Sequence, residues 1–359
     1  MVRDREKIMK YNYEVIKEEV ARLARVDTFP ELKGKTILIT GANGLIGGFL
    51  ADFLCYLNDV CGYKINLLLT SYSPVGKATR VSHLTCRPDV TYFSWDCSLP
   101  FEENEIKDVD IIVFSSGYGQ PSKFLENKIK TTMINIIGVR SLIDHFRRKQ
   151  KSKIKFLFLS TSEVYGSPDE YPTTEEFSGR LDMSNNRACY IVSKLAGEVL
   201  CKEYNDSSEV EAKSARVALT YGPGTSRADT RVLQEFVFKA AHDRKIKMFD
   251  EGRSIRNYLY ITDCCEILLK ILLRGTRNVY NVGGDTEEVS IHNLAEKIAD
   301  NFKVPVEKGS NNSSATSNAP NKVGLSMNRF RDEFPSYGPN IVNLETGIKQ
   351  TLRWYNLHD

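Results

Sequence analysis

Thr40-Gly41-Ala42-Asn43-Gly44-Leu45-Ile46-Gly47-Gly48 is the stretch that decides the fold. The apolar run Thr36-Ile37-Leu38-Ile39 before it has the composition of a buried strand, and the pattern from Phe49 to Leu57 after it is helical. A strand, a tight glycine turn and a helix N-terminus in that order make a dinucleotide site. Gly41 permits the turn, Gly44 lets the backbone approach a pyrophosphate, and Gly47 lets helix and strand pack closely. The free N–H groups and positive end of the helix then favour phosphates. A packing turn without a ligand is the bland alternative, and the strand-before, helix-after context weighs against it.

A second constellation adds chemistry. The apolar strand Phe156-Leu157-Phe158-Leu159 runs into Ser160-Thr161-Ser162-Glu163-Val164-Tyr165-Gly166, and Tyr190-Ile191-Val192-Ser193-Lys194 opens a helical stretch reaching Leu200. Tyr190 and Lys194, four apart, share a helix face. An ammonium near a phenol favours the phenolate, lowering a pKa that is ordinarily about 10. Tyr190 can then accept a proton from a sugar hydroxyl while NAD⁺ accepts hydride from the same carbon. Tyrosine–lysine pairs at this spacing are common and usually carry no chemistry. The ordered triple of glycine turn, Ser/Thr strand end and Tyr/Lys helix is what distinguishes this one.

With these motifs the chain resembles the extended short-chain dehydrogenase/reductase family, in its nucleotide-sugar epimerase/dehydratase/decarboxylase group. The resemblance runs from about Lys33 to the C-terminus. Its further landmarks are Trp95-Asp96, Asn135, Tyr221-Gly222-Pro223-Gly224, the run Arg256-Asn257-Tyr258-Leu259-Tyr260-Ile261-Thr262-Asp263, and Tyr280-Asn281-Val282-Gly283. The late segments are more specific than the glycines, because unrelated dinucleotide folds lack them. The fold implied is α/β: a Rossmann-type doubly wound parallel sheet with a smaller α/β C-terminal substrate-binding lobe.

Composition sets outer bounds. A net charge of +3 over 359 residues, with both signs interspersed, gives no reason to expect nucleic-acid binding. The longest basic cluster, Arg147-Arg148-Lys149-Gln150-Lys151, follows an amphipathic helix and suits its dipole and solvent. No apolar run approaches the roughly 20 residues that span a bilayer, and the N-terminus is charged rather than signal-like. The eight cysteines lack metal-type spacing. They read as buried thiols of a reducing compartment, which places the protein in the cytoplasm. The five histidines form no cluster, and no metal is expected.

Along the chain, the helical pattern over residues 4–25 is an N-terminal extension, 1–32, that the family core does not need. It could pack on the domain, extend a dimer contact or shape the site entrance, with packing the default. Strand-like runs at Asn66-Leu67-Leu68-Leu69, Val90-Thr91-Tyr92-Phe93, Asp110 to Phe114, Lys155 to Leu159 and Val210 to Leu219 alternate with helical patterns, which argues for a parallel sheet. Residues 33–223 and 257–284 are expected to form the NAD-binding Rossmann domain. Residues 224–256 and 285–359 are expected to form the nucleotide-sugar lobe. Gly309 through Asn321 is the one low-complexity segment, expected as a mobile loop beside the site.

The resemblance also assigns roles. Gly41, Asn43, Gly44, Leu45, Ile46 and Gly47 carry the cofactor pyrophosphate, and Asp96 contacts adenine, a turn cap being the alternative for Asp96. Leu69-Thr70-Ser71-Tyr72 lacks the acid that would hold the ribose 2′-hydroxyl, and no arginine is adjacent, although Lys77 and Arg80 follow. NAD is the expected cofactor, with NADP the alternative. Thr161 matches the hydroxyl that bonds the sugar C4 oxygen, Tyr190 the C4 base, and Lys194 its electrostatic partner and ribose contact. Asn135 matches a residue at an irregular helix turn that holds a proton-relay water, an ordinary buried amide being the alternative.

Glu163 discriminates among activities. A 4-epimerase needs no acid there, whereas dehydratases and decarboxylases act at C5 or C6 once the 4-ketone forms, and a carboxylate beside C5 can move its proton. Most 4,6-dehydratases carry an aspartate where this chain has Ser162. Thr161-Ser162-Glu163 resembles UDP-glucuronate decarboxylases and GDP-mannose 4,6-dehydratases. Arg187, before Ala188-Cys189-Tyr190, resembles the decarboxylases' Arg-Ser-Cys-Tyr. Arg231 and Arg256 match the guanidinium groups that clasp the substrate diphosphate, and Arg256 also matches a residue assigned to the substrate carboxylate. Leu219 stands where the family usually has an asparagine on the diphosphate. Ser115-Ser116-Gly117-Tyr118-Gly119-Gln120-Pro121 replaces the usual His-Leu-Ala-Ala type segment, and Tyr118 and Gln120 either reach the sugar or fill space.

The expectation is an NAD-dependent nucleotide-sugar enzyme that oxidises C4 and then acts at C5 or C6. UDP-glucuronate decarboxylation is slightly ahead of NDP-hexose 4,6-dehydration, followed by 4-epimerisation. The non-enzymatic alternative is a cofactor-binding regulator, against which the joint presence of Thr161, Tyr190 and Lys194 argues. The resemblance implies a homodimer through the helices of Asn135 and Tyr190, and a surface polysaccharide pathway is compatible with it.

Overall fold

The computed structural model describes residues 11–357, apart from 75–78, 104, 105, 107, 149–152, 208–209, 285–287, 310–321 and 339–340. Residues 4–10 of the N-terminal pattern, Lys77, Lys149 to Lys151 of the basic cluster and nearly all of the low-complexity segment therefore lie outside the described residues.

Apolar runs without alternation suit strands buried on both faces, as in a parallel sheet covered by helices. Seven such strands form the central sheet: β1 (Thr36–Thr40), β2 (Asn66–Ser71), β3 (Val90–Ser94), β4 (Ile111–Phe114), β5 (Ile154–Thr161), β6 (Val210–Val217) and β11 (Val279–Val282). Their order is β3-β2-β1-β4-β5-β6-β11, and every pairing is parallel. Successive side chains leave a strand on opposite faces, and the two cores follow that rule. Ile37, Ile39, Ile111, Val113, Leu157 and Leu159 join one apolar cluster. Leu38, Ile112, Phe114, Phe156 and Phe158 join the other.

The helices are α1 (Tyr13–Val26), α2 (Leu45–Cys61), α3 (Pro121–Glu126), α4 (Lys128–Met133), α5 (Val139–Arg147), α6 (Ala188–Asp206), α7 (Val232–Phe238), α8 (Ile261–Arg274), α9 (Ile291–Phe302), α10 (Asn328–Glu333) and α11 (Leu344–Trp354). The run expected as one strand from Val210 to Leu219 is interrupted. β6 ends at Val217, and β7 (Leu219–Tyr221) leaves the main sheet to pair in parallel with β10 (Tyr258–Tyr260). Away from the main sheet, β9 (Ile255–Arg256) lies between β12 (Val289–Ser290) and β14 (Lys322–Val323). β8 (Ile246–Lys247) pairs with β13 (Val306–Glu307).

The N-terminal helix packs on the fold, the default expected for it. Val15, Ile16, Val20 and Leu23 are buried, Tyr11 stacks on Trp354 of α11 at 4.5 Å, and the backbone N–H of Arg227 donates to the Tyr11 hydroxyl at 3.0 Å. Among the described residues, no helix is long and apolar enough to cross a membrane.

Candidate active site

In a doubly wound sheet, ligands bind beyond the carboxyl ends of the strands, where the strand order reverses. Here that point lies between β1 and β4. A cavity of about 1130 Å³ opens there, lined by the glycine turn after β1, by Ser115 to Lys123 after β4, by Leu159 to Glu163 at the end of β5, and by Tyr190 and Lys194 of α6.

The turn geometry is that of a phosphate cradle. Gly41 has φ +66°, and a β-carbon on it would lie 2.7 Å from the Ser115 carbonyl oxygen. A β-carbon on Gly47 would meet Ser115 Oγ at 2.7 Å and the Gly41 carbonyl at 2.8 Å. Neither position tolerates a side chain, and the first N–H groups of α2 have no helical acceptor. Asn43 Nδ2 donates to Ser71 Oγ at 2.6 Å, while its buried Oδ1 has no hydrogen bond among the described residues. The residues present fit a dinucleotide.

At the end of β2, where an acid or an arginine would read the ribose, Ser71 Oγ and Tyr92 Oη lie 2.6 Å apart and Tyr92 donates to the Ser73 carbonyl at 2.8 Å. Arg80 turns away into the core. It pairs with the buried Asp52 and sits near the Tyr13 and Trp354 rings. Its charge is thus committed within the protein, as suits NAD better than NADP. Asp96 does not line the cavity. It caps its own turn by accepting from the Ser98 N–H at 3.0 Å and pairs with Lys130 at 2.7 Å. Burial works to raise its pKa, but the hydrogen bonds from Lys130 and Ser98 outweigh that and hold the carboxyl below the ordinary aspartate range.

Tyr190 and Lys194 are both buried on one face of α6. The expected lowering of the phenol by the lysine is not what the fold produces. Burial, reinforced by the charge of Glu163, pushes Tyr190 up to about 12, although a hydrogen bond with Thr161 works the other way. Burial pulls Lys194 down to about 7, and its Nζ donates to the Leu159 carbonyl at 2.6 Å. Burial, more than any charge of the chain, thus keeps Tyr190 protonated.

Asn135 sits in a π-type turn, Ile134–Gly138, that joins α4 to α5. Its Nδ2 donates to the Thr131 carbonyl at 3.1 Å and to Ser193 Oγ at 2.9 Å. Its buried Oδ1 has no hydrogen bond among the described residues.

The charged side chains across the cavity hold one another. Thr161 ends β5, and Ser162 and Glu163 begin a 3-10 turn capped by the Thr161 hydroxyl. Arg187, just before α6, clasps Glu163 through Nε–Oε2 at 3.0 Å and Nη2–Oε1 at 2.5 Å. Arg231 is forked onto Asp229, with Nη2–Oδ2 at 2.7 Å, and donates to the Thr220 carbonyl at 3.1 Å. Arg256 Nη1 donates to the Ile255 carbonyl at 2.8 Å. Tyr118, Gln120, Ser162 and Leu219 also line the cavity, and Thr230 donates to Gln120 Oε1 at 3.4 Å.

Two partners escaped the sequence reading. Asp229 could have been found, since an Asp-x-Arg spacing lets the carboxylate accept the backbone N–H two residues on, here at 2.9 Å. Phe124 carried no signal. It stacks on Tyr190 at 4.6 Å with 1° between the rings.

Glycine turn, strand order and the Tyr190–Lys194 face together define a Rossmann-type dinucleotide protein of the tyrosine–lysine kind. Residues 37–283 match the model of the NAD dependent epimerase/dehydratase family, and the chain belongs to that family. NAD is accordingly its cofactor. Among curated proteins, UDP-glucuronic acid decarboxylase 1 of Xenopus tropicalis is 28% identical over 79% of this chain and 66% of its own length. UDP-glucuronic acid decarboxylase 2 of Arabidopsis thaliana is 27% identical over 71% of this chain and 54% of its own length. The chain thus spans between half and two thirds of the length of these relatives. An epimerase from Methanothermobacter thermautotrophicus shares the fold with a TM-score of 0.76 at 18% identity, covering 92% of this chain and 94% of that one. The dTDP-glucose 4,6-dehydratase of Streptomyces venezuelae, solved with NAD bound, has a TM-score of 0.74 at 20% identity, covering 89% of this chain and 97% of that one.

Proposed function

We propose that the protein is an NAD-dependent nucleotide-sugar enzyme that acts at C4 and then at C5, with UDP-glucuronate decarboxylation as its reaction. The observation that carries this reading is the Arg187–Glu163 pair in the cavity wall beside Tyr190. Named relatives that decarboxylate UDP-glucuronic acid support it.

Bound NAD⁺ supplies the hydride acceptor for sugar C4. Thr161 and Tyr190 take the C4 hydroxyl between them; Tyr190, protonated in the protein alone, would receive that proton as the phenolate, a form that the positive charge of bound NAD⁺ would favour. Lys194 lies one helical turn below Tyr190. A 4-keto uronate is a β-keto acid, so when carbon dioxide leaves, the bonding electron pair stays on the sugar and C5 needs a proton. Glu163, after taking up a proton from solvent, delivers it, directly or through a water. Gly41, Asn43, Gly44, Leu45, Ile46 and Gly47 hold the pyrophosphate of the cofactor. Arg231 and Arg256 face the substrate diphosphate.

A 4,6-dehydratase is the second reading, favoured by Ser162, which lines the cavity at the start of the same turn. An epimerase would leave the acid–arginine pair without a task. Two copies of the chain are proposed to associate through α4 and α6, where Ile129 and Val199 leave apolar side chains in solvent.

Incubation with UDP-glucuronate and with UDP-, dTDP-, GDP- and CDP-hexoses, read by product mass, tests the assignment. Loss of carbon dioxide from UDP-glucuronate is expected. Loss of water from a hexose would replace the decarboxylase with the dehydratase. Tyr190→Phe is expected to lower kcat by about 10³-fold for either activity, and undiminished turnover would remove Tyr190 from the mechanism.

A further inference from the structure

Arg187 and Glu163 meet fork to fork, and both side chains line the cavity. They arrive from different elements: Glu163 from the turn after β5, Arg187 from the residue before α6. The guanidinium carbon lies 5.2 Å from the centroid of the Phe124 ring, and Phe124 is fully buried against Tyr190. The buried Phe124 ring thus limits movement of the guanidinium on that side. The pair itself is about a quarter to a third exposed, so water and ligands reach it and its opening costs little. A planar arginine fork accepts any carboxylate of the same shape.

We propose that Arg187 is a carboxylate-exchange site, held by Glu163 until the C6 carboxylate of a uronate-type nucleotide sugar takes Glu163's place in the fork. The inference rests on the reading of the substrate as a carboxylate-bearing sugar. Inside the fork both Glu163 oxygens accept from the guanidinium and are turned to Arg187 rather than to a ligand. Displacement returns both oxygens of Glu163 to the cavity, next to the sugar carbon that must gain a proton. A neutral hexose has no group to displace Glu163, so the same exchange discriminates between sugars by charge. Glu163 then has two tasks: competitor for Arg187 before exchange and, once released and protonated by a water in the cavity, proton donor to C5 after it.

Competition makes an unusual demand: weakening Glu163 should strengthen uronate binding. The test is calorimetric titration with UDP-glucuronate and UDP-glucose in the presence of NAD⁺, on the Tyr190→Phe background so that no turnover intrudes. Glu163→Gln is expected to tighten UDP-glucuronate about twofold to fivefold, the range of a partly exposed ion pair, and to leave UDP-glucose unchanged. Arg187→Met is expected to weaken UDP-glucuronate about tenfold or more, again without change for UDP-glucose. Arg187→Lys, which keeps the charge and loses the fork, serves if the methionine variant does not fold, and should lose most of the preference for the uronate.

If Glu163→Gln weakens UDP-glucuronate, or if either variant shifts both sugars alike, the exchange is overturned while a preference for the uronate in the parent protein leaves the decarboxylase reading standing. If the parent protein does not prefer the uronate to UDP-glucose, the carboxylate reading falls and the exchange falls with it.

Discussion

The glycine turn at Gly41–Gly47 is backbone packed tightly against Ser115, with Asn43 to Gly47 lining the cavity, whereas the opposite wall presents charged side chains that are already paired, Arg187 with Glu163 and Arg231 with Asp229. In the reading proposed above, the first region meets the cofactor and the second meets the sugar and its diphosphate. A backbone cradle has one shape and recognises a group common to every dinucleotide. A wall of paired charges can re-pair, and so can distinguish substrates that differ in charge. The two regions should therefore fail differently when altered: the turn by losing its ligand outright, the wall by losing balance.

The largest effect is expected at the turn. Gly47→Val would place branched carbon against Ser115 Oγ and the Gly41 carbonyl, both nearer than van der Waals contact allows. Backbone must move, and NAD affinity should fall by about 100-fold or more, the equivalent of roughly 3 kcal/mol, which is the scale of a strained backbone position. Titration of the variant with NAD⁺ measures this. Affinity within a few-fold of the parent would show that the cradle tolerates reshaping and would break the comparison.

At the wall, Arg231→Met is expected to act first on stability. Asp229 is only 7% exposed and receives three hydrogen bonds from the arginine side chain. Removing the partner strands a buried carboxylate, a change that costs about 3–5 kcal/mol when both groups are fully buried. Arg231 is about a quarter exposed, so about 2 kcal/mol is the expected loss once solvent screening is allowed for. Arg231→Met with Asp229→Asn should recover much of it, because the amide carries no unpaired charge. Denaturant unfolding of the single and double variants decides the matter, and equal stability of single variant and parent would mean that the pair contributes nothing.

These contrasts also explain what could be read from the chain alone. The turn and the parallel sheet are local consequences of sequence: Gly41 at positive φ, Ile37 and Ile39 on one face of β1, Leu38 on the other. The pairing of wall charges is set by tertiary geometry. Arg187 and Glu163 are 24 residues apart, and nothing in either segment reports that one closes on the other. Phe124 lies in a six-residue helix with no motif, and its stacking on Tyr190 exists only once α3 and α6 are packed. The break after Val217 was hidden because Val-Ala-Leu-Thr reads as uninterrupted strand. Pairing with β10 takes Leu219 out of the main sheet, and no local propensity records that. The tyrosine pKa is a further case: helix spacing brings Lys194 near Tyr190, but burial and the charge of Glu163 decide the direction.

Lys194 lies between the two regions, and the effect expected there depends on pH. Burial lowers its pKa from 10.5 to about 7 in the folded protein. Between those two values the unfolded chain binds a proton that the folded protein does not, so stability rises as pH rises through that window and the full penalty applies below pH 7. Lys194→Met removes the charge in both states. The variant should therefore melt above the parent at and below pH 7, with the gain shrinking as pH is raised towards 10.5. At high pH the sign should turn, because the Leu159 carbonyl loses the hydrogen bond from Nζ and the methionine offers no donor. Melting temperatures of the two proteins at several pH values from 6 to 9.5 measure the slope. A pH-independent difference would mean that Lys194 keeps its proton throughout, as a partner charge in the cavity would require, and would move it from the neutral scaffold of α6 into the paired charges of the wall.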